Sequence, residues 1–150
     1  PEVDALRMAY QFPGMKILQF AFDGGEDNPY LPQNHERLSV VYTGTHDNDT
    51  TLGWYHSLDE TMRVRLENHA GKYPGEMPWP LIEMAMNSEA TLAVLPMQDI
   101  LSLGSDNRMN TPGTTGSNWQ WRFSWKQVPA ELAPRLQALV ERYTRNNAWL

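Results

Sequence analysis

The chain has 150 residues, 41% hydrophobic and 20% charged, which is the size and balance of one ordinary globular domain with enough apolar material for a core. A net charge of −6 speaks against a nucleic-acid partner, and the absence of any apolar run near ~18 residues speaks against a membrane span. Cysteine is absent, so disulfides and thiolate metal sites are excluded.

The opening PEVDALRMAY carries neither the basic nor the apolar region of a secretory signal, which fits a cytoplasmic location, and it reads as a cut from something longer. Residues 2–12 predict a helix, with Pro13-Gly14 as its stop. KILQFAF (16–22) predicts a buried strand that ends at Asp23-Gly24-Gly25. After a loop with two prolines, LSVVYTG (38–44) predicts a second strand, apolar enough to be buried on both faces as in a parallel sheet. Ser57-Leu58-Asp59-Glu60 matches a capping box and predicts a helix over 58–69. A further helix is expected over 80–88 and a third strand over 91–96. A long Gly, Thr, Asn and Ser loop follows, and then WQWRFSW, whose Trp119, Trp121, Phe123 and Trp125 would share one face if extended. Leu132, Leu136, Leu139, Val140 and Tyr143 keep helical spacing and predict a C-terminal helix over 129–147.

Strands separated by helices imply βα units with parallel strands and right-handed crossovers. Three such strands form a poor free-standing sheet, because a parallel sheet needs both faces covered. The expected fold class is therefore α/β, as the tail of a larger barrel.

In α/β barrels the reactive groups lie at the C-terminal ends of strands. Two predicted strands end in carboxylates here, at Asp23 and in the tetrad His46-Asp47-Asn48-Asp49. A carboxylate beside a histidine at such a place can stabilise a developing cation or bind vicinal hydroxyls, as glycosyl transfer requires. The tetrad also admits plainer readings, with Asp49 or Asn48 as a helix cap and His46 as a buried, satisfied imidazole. A calcium loop starting at Asp47 fails, since its sixth and twelfth places hold Leu52 and Leu58 instead of Gly and Glu. Acyl and phosphoryl transfer find no motif. Asp99 and Asp106 fall in stretches that read as loops. The six Trp and six Tyr suit a polyhydroxyl ligand, because flat rings stack on sugar faces.

GMKILQFAFDGG, NPYLPQN, VVYTGTHDNDTTLGWY and LAVLPMQDILSLGSDNRMNTPGTTGSNWQWR, in this order, resemble the C-terminal part of the 4-α-glucanotransferases of glycoside hydrolase family 77, the amylomaltases or disproportionating enzymes. The resemblance covers nearly the whole chain. It implies the C-terminal portion of a (β/α)8 TIM barrel, acting without cofactor or metal. The activity it implies is transfer of α-1,4-glucan segments between maltooligosaccharides or starch-type glucans, through a covalent glucosyl-enzyme and with retention. Position by position, Asp47 resembles the carboxylate that stabilises the transition state, and His46 the neighbour that binds the same sugar. Phe20 resembles an aromatic near the acceptor side, and Asn110 lies in a loop bordering the glucan cleft. The family often carries a second acidic residue after the position of Asp23, where this chain has Gly24. Its nucleophilic Asp and acid/base Glu belong to motifs that precede the helix matching PEVDALRMAY. The resemblance therefore implies a missing N-terminal part of the same barrel as partner, and an isolated chain without activity. An α-amylase-type hydrolase and a non-catalytic glucan-binding module are the alternatives.

Overall fold

A computed structural model describes residues 2–147. Helix α1 (Glu2–Ala9) leads into strand β1 (Gly14–Ile17), and strand β2 (Ser39–Tyr42) follows a long excursion. Helices α2 (Thr51–Ser57), α3 (Glu60–Ala70) and α4 (Trp79–Met86) precede strand β3 (Leu92–Val94). The short α5 (Met97–Ile100) and the C-terminal α6 (Leu132–Arg142) complete the regular structure. The strands form one sheet in the order β1-β2-β3, with both pairings parallel as expected.

Register makes the two faces of this sheet unequal. Val41 sits beside Ala93 on the face covered by helices, in a core with Leu18, Phe22, Leu66, Leu81 and Met84. Strand alternation sends Met15, Val40, Tyr42 and Val94 to the other face. There Met15 is 58% and Val94 38% exposed, so this apolar face is half open. A second cluster joins Trp79, Ile82 and Met86 of α4 to Leu132 and Leu139 of α6.

Several boundaries differ from the sequence expectation. The strand expected over 16–22 lies at Gly14–Ile17, and the chain then enters a 3-10 turn at Leu18–Phe20. Turning places Leu18, Ala21 and Phe22 together in the core, whereas alternation would have sent some of them to the opposite face. The helix expected over 58–69 is α3 at Glu60–Ala70, and a separate helix that the capping pattern does not announce, α2, precedes it. Thr50 caps α2 by accepting from Gly53 N, and Asp59 caps α3 by accepting from Met62 N. Ser57 is no cap, because its hydroxyl donates back to the Trp54 carbonyl, and the chain breaks at Leu58 to bury that side chain. The C-terminal helix is Leu132–Arg142, shorter than 129–147. Beyond it the Arg145 guanidinium donates to the Met86 carbonyl and closes the end of α4. No helix among the described residues is long and apolar enough to cross a membrane.

His35 ties the loop before β2 to the turn before β3. Its Nε2 lies 2.8 Å from the Tyr30 carbonyl and its Nδ1 2.6 Å from Ser88 Oγ, which itself accepts from Ala90 N. A neutral ring donating from Nε2 and accepting at Nδ1 satisfies every partner. Burial holds its pKa below the ordinary value near 6.5, so the unfolded chain binds the proton more readily than the folded one. The stability this creates is full above about pH 6.5 and is lost as pH falls through the lowered folded value. In the full-length protein the denaturation midpoint should fall over that acid window, and His35→Gln should flatten that part of the profile. An unchanged pH slope in the variant would show that His35 is not the group responsible.

Candidate active site at the exit of strand β2

The backbone leaves β2 at Thr43 and re-enters regular structure at Thr51, so residues 43–51 form a loop that stands on two stems. Asn48 shapes its crest, because its Oδ1 accepts from Thr45 N at 2.9 Å and from Thr45 Oγ1 at 2.8 Å. Asn48 N donates in turn to the Thr45 carbonyl. This closed turn lifts His46 and Asp47 outward, with side chains 53% and 52% exposed. His46 is thus not the buried imidazole of the plainer reading.

Both motif glycines allow close approach. A Cβ on Gly44 would lie 2.5 Å from Gln19 Nε2, and one on Gly53 would collide with Ser105 Oγ. Asp49 does not cap the helix either. Its Oδ1 accepts from Thr50 N and its Oδ2 from Ser105 Oγ, which ties the loop to the segment after β3.

Asp47 is held from three sides. Asn110 Nδ2 donates to its Oδ1 at 2.6 Å, His46 Nε2 lies 3.4 Å from the same oxygen, and Arg108 Nη2 donates to its backbone carbonyl at 3.0 Å. Oδ2 makes no hydrogen bond among the described residues and remains able to accept from a hydroxyl or face a developing positive charge. The His46 ring packs against Trp119 with centroids 4.7 Å apart. Trp119 reaches it through a positive φ of 64° and a bond from its N–H to the Met109 carbonyl. The expected shared face of WQWRFSW therefore splits. Trp121, Phe123 and Trp125 contact one another in sequence while Trp119 turns to the tetrad.

Of the residues suggested by resemblance, His46, Asp47 and Asn110 come together. Phe20 does not join them, and packs edge-on against Tyr30 with centroids 5.6 Å apart. Asn28 holds this neighbouring strand end by donating to the Phe20 carbonyl and to Asp23 Oδ1. A pocket of about 330 Å3 lies over the half-open sheet face, bounded by Met15, Tyr42, His46, Arg108, Met109 and Trp119. Asp47 is not among its lining residues. The described residues contain no group of three or more His, Asp or Glu placed to hold a metal.

Asp99 was missed as a site residue. It belongs to α5, not to a loop, and is only 1% exposed. Burial raises its pKa, while hydrogen bonds from Thr43 and Thr51 pull it back down. The rule that singled out Asp23 and Asp47, a carboxylate at a strand's C-terminal end, also selects Asp99 after β3.

A family profile described as 4-alpha-glucanotransferase, glycoside hydrolase family 77, matches residues 1–128. The chain belongs to the 4-alpha-glucanotransferase family. It is 49% identical to a 4-alpha-glucanotransferase of Synechocystis over 97% of its own length and 29% of the relative's. With the Thermus thermophilus 4-alpha-glucanotransferase the identity is 48%, over 94% of this chain and 30% of that one. The amylomaltase of Streptococcus agalactiae, solved in complex with acarbose, superposes with a TM-score of 0.90 at 31% identity, covering 96% of this chain and 30% of that structure. This family member thus spans about 30% of the length of the relatives it matches.

Proposed function

We propose that the chain is the C-terminal portion of a (β/α)8 barrel whose full-length protein transfers α-1,4-glucan segments between maltooligosaccharides by a retaining double displacement. Asp47 supplies the carboxylate that stabilises the oxocarbenium-like transition state, while His46 and Asn110 fix it and share the sugar's hydroxyls. Phe20 contributes an apolar surface on the acceptor side of the neighbouring strand end. The partners are the glucan and the part of the barrel that completes the sheet, and the half-open face with Met15 and Val94 supports such a completion.

The observation that carries this reading is the state of the Asp47 carboxylate. One oxygen is anchored and the other is open, at the C-terminal end of a parallel strand where barrel enzymes keep their chemistry. The experiment is to feed maltotriose to the full-length protein. Glucose together with oligomers longer than the substrate is expected, and products that are only shorter would assign it to a hydrolase instead.

A further inference from the structure

Asp99 is a buried carboxylate with no cation against it among the described residues, and such a group is costly inside a fold unless donors meet its charge. Three do so. Thr43 Oγ1 donates to its Oδ2 at 2.6 Å, Thr51 N to its Oδ1 at 2.7 Å, and Thr51 Oγ1 to its Oδ2 at 2.7 Å. Thr43 closes the incoming stem of the loop that bears His46 and Asp47, and Thr51 opens the outgoing one. A single side chain from the next strand end therefore grips both stems from below. Gln19 completes the grip from the β1 side, donating from Nε2 to the Asp49 carbonyl and to Thr51 Oγ1.

The polarity of this arrangement requires a carboxylate. Thr51 Oγ1 accepts from Gln19 and so has its own proton to give, and Thr43 Oγ1 gives its proton to the same oxygen, Oδ2. An asparagine with its NH2 toward both hydroxyls would take away the acceptor that Oδ2 offers their protons, and one turned the other way would set its NH2 against the donor Thr51 N.

We propose that Asp99 is a positioning residue that clamps the loop of residues 43–51 and thereby fixes Asp47. The proposal rests on the transfer reading given above for the role of Asp47, although the clamp itself can be read without it. Asp99 need not touch the glucan, since a displacement of about 1 Å in a reacting group suffices to lose on the order of a hundredfold in rate.

The test uses the full-length protein with maltotriose and compares Asp99→Asn, Thr43→Val and Thr43→Ser. Asp99→Asn should lower kcat by about tenfold or more with KM within about twofold, because geometry at the reacting centre is lost while remote binding is kept. Thr43→Val should lower kcat by a smaller factor, and Thr43→Ser, which keeps the hydroxyl, should recover it. Amide hydrogen exchange over residues 45–50 should quicken in Asp99→Asn and Thr43→Val while α4 keeps its protection. The proposal is overturned if kcat stays unchanged in both variants, or if exchange rises equally in α4, which would make Asp99 a general support of the fold. Should Asp99→Asn fail to fold, the Thr43 pair decides the question by the same two measurements. Turnover left unchanged by Asp47→Asn would instead remove the role given to Asp47, and the local exchange pattern would still decide for or against the clamp.

Discussion

Asp47→Asn in the full-length protein is expected to reduce glucan transfer by roughly a hundred- to a thousandfold, the loss typical when one preorganised electrostatic group is removed from a transition state. The substitution is nearly isosteric. Its amide oxygen can still accept from Asn110 Nδ2, so the loop and the neighbouring tilted contact of the His46 and Trp119 rings should persist. The loss is of charge. In the ground state the glucan is neutral and an amide can hydrogen-bond its hydroxyls almost as well as a carboxylate, whereas in the transition state positive charge develops at the sugar ring. The effect should therefore fall on kcat, with KM within about threefold, as for an interaction made only in the transition state. Measuring both constants with maltotriose checks this. Unchanged kcat with glucan binding almost untouched would favour a glucan-binding module built on surfaces such as the Trp121-Phe123-Trp125 ring series.

What the sequence revealed, and what it hid, follows the range of the interactions involved. The three parallel strands were legible because compact apolar runs bounded by turn residues report strands, and Val41 at the centre of the core is the plainest case, although the second face, expected to be buried, is half open at Met15 and Val94. Their lengths were not. Lys16 to Phe22 has strand-forming composition throughout, but the bend at Leu18 depends on Gln19 reaching the loop after β2, a contact thirty residues away along the chain. Likewise Ser57-x-x-Glu60 satisfies the capping pattern, yet Asp59 captured the helix start once Leu58 had turned into the core. In the site, the cluster at His46 and Asp47 stood out because four polar residues after a buried strand have no packing explanation. Asn110, Arg108 and Trp119 reach that cluster only through the fold-back of the long Gly-rich loop, and no local pattern encodes that path.

The isolated 150-residue chain should show no glucan transfer at all, even when folded. A retaining mechanism requires a nucleophilic carboxylate and an acid/base carboxyl about 5 Å apart across the scissile bond, in addition to any group that stabilises charge. The described residues offer poor candidates for either role. Asp49 has both oxygens engaged, by Thr50 N and Ser105 Oγ. Asp99 is buried and receives all three of its donors from the stems of the loop. Asp23 is held by Asn28 at the neighbouring strand end, and Asp106 lies on an exposed 3-10 turn at Ser105–Asn107. An Asp47 poised as found here can lower a barrier only when another group attacks and another protonates the leaving oxygen. The check is prolonged incubation of the purified chain with maltotriose, with chromatography of the products and circular dichroism to establish folding. No glucose and no longer oligomers are expected from the chain alone, and transfer should appear when the remaining part of the barrel, expressed separately, is added. Turnover by the chain alone that vanishes in Asp47→Asn would mean that a nucleophile lies within these residues, and the division of the catalytic groups proposed above would have to be abandoned.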